Sequence, residues 1–402
     1  MTENLLLRRR SFLTSAVAGL AASAFAPRMA FAAAQTEQRF VFVIQRGAAD
    51  GLHIVPPLGD PEFASLRGTL ADSLAGAQRL DAMFGLHPAL VRVGQMFDGK
   101  QAIAVHAVAS AYRDRSHFDG QNILETGGTA AYAEKIGWMN RLAGVLPGNA
   151  GNALALAPEV PMALRGPIAV SSYAPSALPQ PQGDLFNRVS ALYASDSQLA
   201  GLWQSALLTR ALAGQAGSDA RGPNGGAPNG RGCGGAQIGK LAASLLAPAN
   251  GARLMMIETT GWDTHTAQPA RLNGQLRNLD AMIGALADGL GPAWANTVVI
   301  VATEFGRTAA VNGTQGTDHG TASAALILGG GLRNGGPFQA GKVHADWPGL
   351  GAGALFENRD LKPTTAMEAM IAGVLAQHYA IDPARLLRAV YPDQPGLKPV
   401  LI

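Results

Sequence analysis

The sequence predicts an α/β fold on a largely parallel central sheet, and three observations predict it. Residues 40–44, 102–108, 254–257, 297–302 and 324–328 are continuous apolar runs, as expected of strands covered on both faces. Helical spacing fills the intervals, over residues 118–125, 185–213, 238–246, 270–290 and 367–378. Acids and histidines gather just beyond several of the apolar runs, where open α/β sheets bind their ligands.

The N-terminus comes first in the chain. Arg9 and Arg10 precede Ser11, Phe12 and Leu13, an apolar run covers 16–26, and Ala30, Ala32 and Ala34 offer small residues at cleavage spacing. That run is too short to span a bilayer. The segment 1–34 therefore reads as a twin-arginine signal peptide, with an uncleaved anchor as the other reading. Export of the folded chain by the twin-arginine machinery, to the periplasm or the medium, is the expectation.

Residues 1–34 hold Arg8, Arg9, Arg10 and Arg28 against Glu3, so without them the 31 basic and 28 acidic residues become 27 and 27. A neutral chain gives no electrostatic case for nucleic acid or a membrane surface. No later segment is long and apolar enough to cross a membrane. The single cysteine, Cys233, excludes an internal disulfide, so stability must come from a core, which 48 % hydrophobic residues can build.

Residues 35–402 read as one domain. The stretch 214–235, rich in Gly, Asn, Pro and Ala, reads as a flexible surface loop. Residues 139–184 read as loops and short edge strands.

The chemistry-bearing residues concentrate near strand ends. Glu304 and Arg307 follow the 297–302 run, Asp318 and His319 come shortly after, and Asp263 and His265 follow the 254–257 run. Carboxylates and imidazoles together are what a divalent metal ion needs, and a nearby arginine suits an oxyanion. Each residue also has a plainer reading. Asp263 could cap the next helix, with His265 a surface imidazole. Asp318 could build a turn or fix the tautomer of His319. Asp50, in Ala49-Asp50-Gly51, could simply make a turn. Arg307 could pair with Glu304. Ser116 is either a nucleophile activated by His117 or by a metal, or the N-cap of the helix that follows. His319 precedes a strand, so it joins the others only through a long loop or if residues 324–328 run antiparallel. His53 is a further ligand candidate, whereas His87 and His106 read as structural.

Taken together, Arg46 to Leu52, Arg115-Ser116-His117-Phe118-Asp119, Glu125-Thr126-Gly127, Gly261-Trp262-Asp263-Thr264-His265 and Thr303 to Thr308 resemble the DUF1501 family, over nearly the whole chain after residue 34. That family is similar to the sulfatase and alkaline-phosphatase superfamily. The resemblance implies a three-layer α/β/α sandwich with a metal site at one sheet edge. It implies Asp50, Asp263, His265, Glu304, Asp318 and His319 as metal ligands, and one or two divalent ions, whether zinc, manganese, calcium or magnesium. It implies Ser116, His117 and Arg307 as the catalytic group acting on a small anionic ester. Phe305 stands where the superfamily has a histidine, which puts the second metal in question. The function expected is hydrolysis of phosphate or sulfate esters; the rival is a non-catalytic exported binding protein with a degenerate site.

Overall fold

The computed structural model describes residues 36–146, 153–174, 183–196, 199–200, 203–204, 206–207, 234–332, 339–398 and 400. The twin-arginine segment, Cys233 and nearly all of the 214–235 stretch lie outside the described residues.

Nine strands share one sheet: β1 (Arg39–Gln45), β2 (Ala102–Ala109), β3 (Ala153–Leu156), β4 (Ser171–Ser172), β5 (Leu254–Thr259), β6 (Thr297–Ala302), β7 (Ser323–Leu328), β8 (Val343–His344) and β9 (Thr365–Ala366). Their order is β8-β2-β7-β6-β1-β5-β3-β4, with β9 also pairing with β2. All pairs are parallel except those of β7, which runs antiparallel to both β2 and β6. The five apolar runs each became one of these strands.

The period of two along β1 divides the core between the two faces. Val41 and Val43 pack in one cluster with residues of α3 (Val91–Asp98), α7 (Gly235–Leu246) and α8 (Gln268–Leu290). Phe40, Phe42 and Ile44 pack in another with α5 (Trp138–Val145), α9 (Met367–Tyr379) and α10 (Pro383–Val390). All five side chains are fully buried, and each contributes about 1.5–3 kcal/mol by leaving water. Phe42 meets Trp138 edge-on, with ring centroids 5.2 Å apart. In α8, Leu272, Leu276, Leu279, Ile283 and Leu286 form a buried stripe at helical spacing. Helix α9 is buried on almost every side, its apolar run 369–376 being flanked by the buried Glu368 and His378.

Shorter helices complete the site side: α1 (Gly51–Ile54), α2 (Phe63–Arg67) and α4 (His117–Thr126). Helix α6 (Gly183–Tyr193) covers the start of the helical pattern expected over 185–213, the described residues 199–200, 203–204 and 206–207 are helical as well, and 208–213 lie outside the described residues. The reading of 139–184 as loops and edge strands needs correction, because most of α5 and the interior strand β3 lie there. Trp138, Met139, Leu142 and Ala143 do have helical spacing and are fully buried; Gly137 before them and Pro147 after them masked it.

The topology decides what reaches the site edge. β1, β2, β5 and β6 point the same way, so the segments after Gln45, Ala109, Thr259 and Ala302 emerge together. Because β7 runs the other way, the segment before it, which carries Asp318 and His319, arrives at that same edge.

Candidate metal centre

Close backbone contact brings the strand-end loops together. Gly47 has φ +120°, and a Cβ there would lie 2.6 Å from the Asp263 nitrogen. A Cβ on Gly306 would lie 1.8 Å from the Ala322 carbonyl oxygen. Ala48 and Arg115 adopt left-handed backbone, with φ 57° and 60°, at roughly 1–3 kcal/mol of strain each. Both carbonyls are used: Ala48 O accepts from Arg307 Nε at 2.7 Å, and Arg115 O accepts from His319 Nδ1 at 2.9 Å.

Three imidazoles and one carboxylate converge. His117, Asp263 and His319 offer ligand atoms that all lie within 4.8 Å of one another. His265 joins from one side, its Nε2 lying 3.0 Å from His319 Nε2 and 3.1 Å from Asp263 Oδ1. Asp263 Oδ1 is 3.4 Å from His319 Nε2, and Asp263 Oδ2 is 3.6 Å from His117 Nε2. Donors on a tetrahedral ion with bonds of about 2.0–2.1 Å sit roughly 3.3 Å apart, close to the separations among Asp263, His265 and His319.

The far nitrogen of each ring is anchored. His117 Nδ1 is 2.9 Å from Glu304 Oε1, His265 Nδ1 is 3.0 Å from Asp318 Oδ1, and His319 Nδ1 faces the Arg115 carbonyl. A carbonyl only accepts, and an ionised carboxylate only accepts, so each Nδ1 carries the proton. Each Nε2 is turned toward Asp263. His117 Nε2 is buried with no hydrogen-bond partner. The Nε2 atoms of His265 and His319, only 3.0 Å apart, share either a proton or a metal ion.

The electrostatics suit that arrangement. Burial works to raise the Asp263 pKa, but the Arg307 guanidinium and the imidazoles outweigh it and hold the carboxyl below its usual range. Burial likewise opposes ionisation of Glu304, and hydrogen bonds from His117, Gln121 and the Gly47 N–H outweigh it. The Asp318 pKa is lowered, chiefly by the Asn312 hydrogen bond. His319 is pushed down by burial and then by His117, so it is neutral and able to bind a cation. Phe305 stacks on His117 at 5.1 Å and lies 5.4 Å from His319, an apolar wall where the resemblance implied an imidazole.

Several expected roles change. Asp50 does not join the cluster: both its oxygens accept from Arg67, and Oδ2 also accepts from Gln268 at 2.6 Å. Glu304 does not face the cluster directly, because its oxygens accept from Gly47 N, His117, Gln121 and Thr303. Asp318 anchors His265 rather than His319. Arg307 is not an open anion clamp. Its donors reach the carbonyls of Gly47, Ala48, Trp262 and Thr317, and the Asp263 carboxylate. Arg307 and Glu304 do not pair with each other. His117, expected beside Ser116 as a base, stands in the cluster with Asp263 and His319.

Ser116 occupies the N-cap position of α4 with extended backbone, yet its side chain makes no capping bond to the helix. Its N–H donates to Tyr112 Oη at 3.0 Å. Away from the cluster, His53 Nε2 meets Ser73 Oγ, and burial depresses its pKa to about 3. His87 accepts from Ala89 N, and His106 meets the Val55 carbonyl, both with pKa values pushed down to about 4 by burial. Two residues that the sequence did not single out are Arg67 and Gln268. Neither sits in a motif of acids or histidines, and their roles arise only from depth.

The family described as protein of unknown function, DUF1501, matches residues 37–391. No curated protein matches the chain. Among solved structures, Ps i-CgsB in complex with k-i-k-neocarrahexaose is similar over 77 % of this chain and 68 % of that one, at 10 % identity and a TM-score of 0.38. Ps i-CgsB by itself gives the same coverage and identity with a TM-score of 0.34. Likenesses at these scores say nothing about what this chain binds.

Proposed function

This chain belongs to the DUF1501 family, a family of unknown function, and from that premise we propose that it is an exported, metal-dependent hydrolase of phosphate or sulfate esters on an alkaline-phosphatase-like α/β/α sandwich. The observation that carries the metal is the convergence of His117, Asp263 and His319 within 4.8 Å, with His265 Nε2 3.0 Å from His319 Nε2 and the Nδ1 atoms turned to acceptors.

His117, His265, His319 and Asp263 are the residues that would hold one divalent ion. An imidazole-rich set of this kind favours zinc and other borderline transition metals over calcium or magnesium. Bound there, the ion polarises the ester oxygen and lowers the pKa of the nucleophile. The protein's own residues do the rest. Glu304, Asp318 and the Arg115 carbonyl hold the Nδ1 protons and so fix the ring orientations. Arg307 orients Asp263, and Phe305 keeps water from the inner side of His117. Ser116 Oγ, which makes no capping bond, is the candidate nucleophile, with water the other. With water, its oxygen bonds to phosphorus or sulfur, the bond to the alcohol oxygen breaks, and the alcohol leaves with a proton.

The second reading is a non-catalytic exported binding protein. Its support is that Asp50 is closed off by Arg67 and that Arg307 faces carbonyls instead of an open ligand space. Elemental mass spectrometry on the exported chain decides. Near-stoichiometric metal that is lost in Asp263→Ala and His319→Ala supports the hydrolase. A chain that stays metal-free after incubation with zinc and manganese moves the assignment to the binding protein. Export is tested by Arg9→Lys with Arg10→Lys, which should leave the chain in the cytoplasmic fraction.

A further inference from the structure

We propose that the same site takes monoanionic tetrahedral esters, namely sulfate monoesters or phosphate diesters, in preference to dianionic phosphate monoesters; this rests on the metal-dependent hydrolase reading. The argument is a balance of charge. Asp263, Glu304 and Asp318 place three carboxylates on or behind the imidazoles. Arg307 and one divalent ion supply three positive charges. The centre is therefore neutral before any ester arrives.

The surrounding arginines do not tip that balance. Arg115 Nε donates to Asp360 at 2.9 Å, and its Nη2 pairs with Glu357 as well. Arg359 Nε also pairs with Asp360, at 2.8 Å, while its Nη2 donates to the His319 carbonyl. Arg46 meets Gln121 and Glu125, each at 2.8 Å, and Glu258. These three guanidinium groups thus face four carboxylates.

Nor are they cheaply released. The Asp360 side chain is fully buried and that of Glu125 is 5 % exposed. Turning Arg115, Arg359 or Arg46 toward a ligand would leave a buried carboxylate with less compensation, which is costly. Only Glu357, with 58 % of its side chain exposed, gives up its arginine easily. An ester carrying one charge needs no more than the ion itself offers. None of these arginines stands free for a second charge on the ester, and Arg113, near Ser116, spends its Nη1 on the Ser110 and Tyr112 carbonyls.

The test uses the full chain loaded with the metal that mass spectrometry identifies. At pH 8, where a phosphate monoester is a dianion, hydrolysis is measured for p-nitrophenyl sulfate, bis-p-nitrophenyl phosphate and p-nitrophenyl phosphate. At least one monoanion should exceed the dianion by about 100-fold or more in kcat/KM. Which monoanion leads separates sulfate from diester. Glu357→Gln, which leaves Arg115 with a single carboxylate, should shift the ratio about tenfold toward the dianion. Calorimetry gives a readout independent of turnover: ethyl methylphosphonate, a monoanion, should bind more tightly than methylphosphonate at pH 8.5. Preference for p-nitrophenyl phosphate, or tighter binding of methylphosphonate, overturns the inference. If none of the three esters is hydrolysed by metal-loaded protein, the hydrolase reading falls instead, and calorimetry alone judges the charge preference.

Discussion

Asp50 and Asp263 follow neighbouring parallel strands, β1 and β5, at the same edge of the sheet, and the fold treats them in opposite ways. Asp50 is closed. Its side chain is 1 % exposed, it lies against the fully buried Arg67, and Gln268 donates to it. Gln268 passes that contact on, accepting from Thr264 Oγ1 at 3.0 Å and Thr317 Oγ1 at 2.6 Å. Those threonines adjoin Asp263, His265 and Asp318 in the chain. Asp263 is open. Its side chain is 44 % exposed, and three imidazole nitrogens turn toward it. One carboxylate is a hub that braces loops, and the other is a candidate ligand that those loops present. A strand-end aspartate alone does not distinguish them. Each meets a buried guanidinium, and what separates them is that imidazoles and solvent also reach Asp263.

The largest effect should fall on the closed region. Arg67→Met leaves Asp50 buried without its counter-charge and should cost about 3–5 kcal/mol in urea unfolding. Adding Asp50→Asn should recover much of that loss. If the double variant is as unstable as the single, the pair is not a self-contained unit. On the open region, Asp263→Ala should weaken metal binding more than about 100-fold, as removal of a ligand should exceed the loss of an outer partner. Without metal it should also lose some thermal stability, because the fully buried Arg307 keeps only carbonyl partners; a fall as large as that of Arg67→Met would make Asp263 a structural residue like Asp50.

Smaller effects sharpen the link between the two. Glu304→Gln should reduce metal affinity by about 10–100-fold through His117, with a changed visible spectrum for the cobalt-substituted protein. Gln268→Leu strands two threonine hydroxyls and one Asp50 contact, costing about 1–3 kcal/mol. It should also broaden the cobalt spectrum, and an unaltered spectrum would detach the hub from the ligand loops. The smallest effect is in acid. Burial works to raise the Asp50 pKa, but Arg67 outweighs it, so the folded value lies below the unfolded one of about 3.9. Its stabilisation is complete above that value and is lost as the pH falls through the folded pKa. Thermal scans between pH 6 and 2.5 should show wild type losing more stability below about pH 4 than Asp50→Asn does.

The five apolar runs were legible as strands because continuous burial on both faces leaves a continuous pattern. The α5 helix was not, since its short apolar face lies between Gly137 and Pro147. At the site, Asp263, His265 and His319 could be picked out by residue type, and their grouping followed once β7 was antiparallel. The role of His117 was half legible: its neighbour Ser116 drew attention to the segment, but nothing in the spacing said that its Nε2 would face Asp263. Arg67 and Gln268 left no signal, because an arginine ending a short helix and a glutamine starting a long one are ordinary surface residues until burial makes them partners.

By itself, the sequence determined the α/β class, the places of the central strands and the few acids and histidines available for chemistry, because hydrophobic period and residue type are local properties. The tertiary structure alone decided which carboxylate is shut in by its guanidinium and which meets imidazoles as well, and which ring nitrogen faces an acceptor. Those outcomes depend on distances between segments far apart in the chain, such as Gly47 and Arg307, 260 residues apart. No local pattern encodes which of several chemically similar groups will be nearest once the chain has closed.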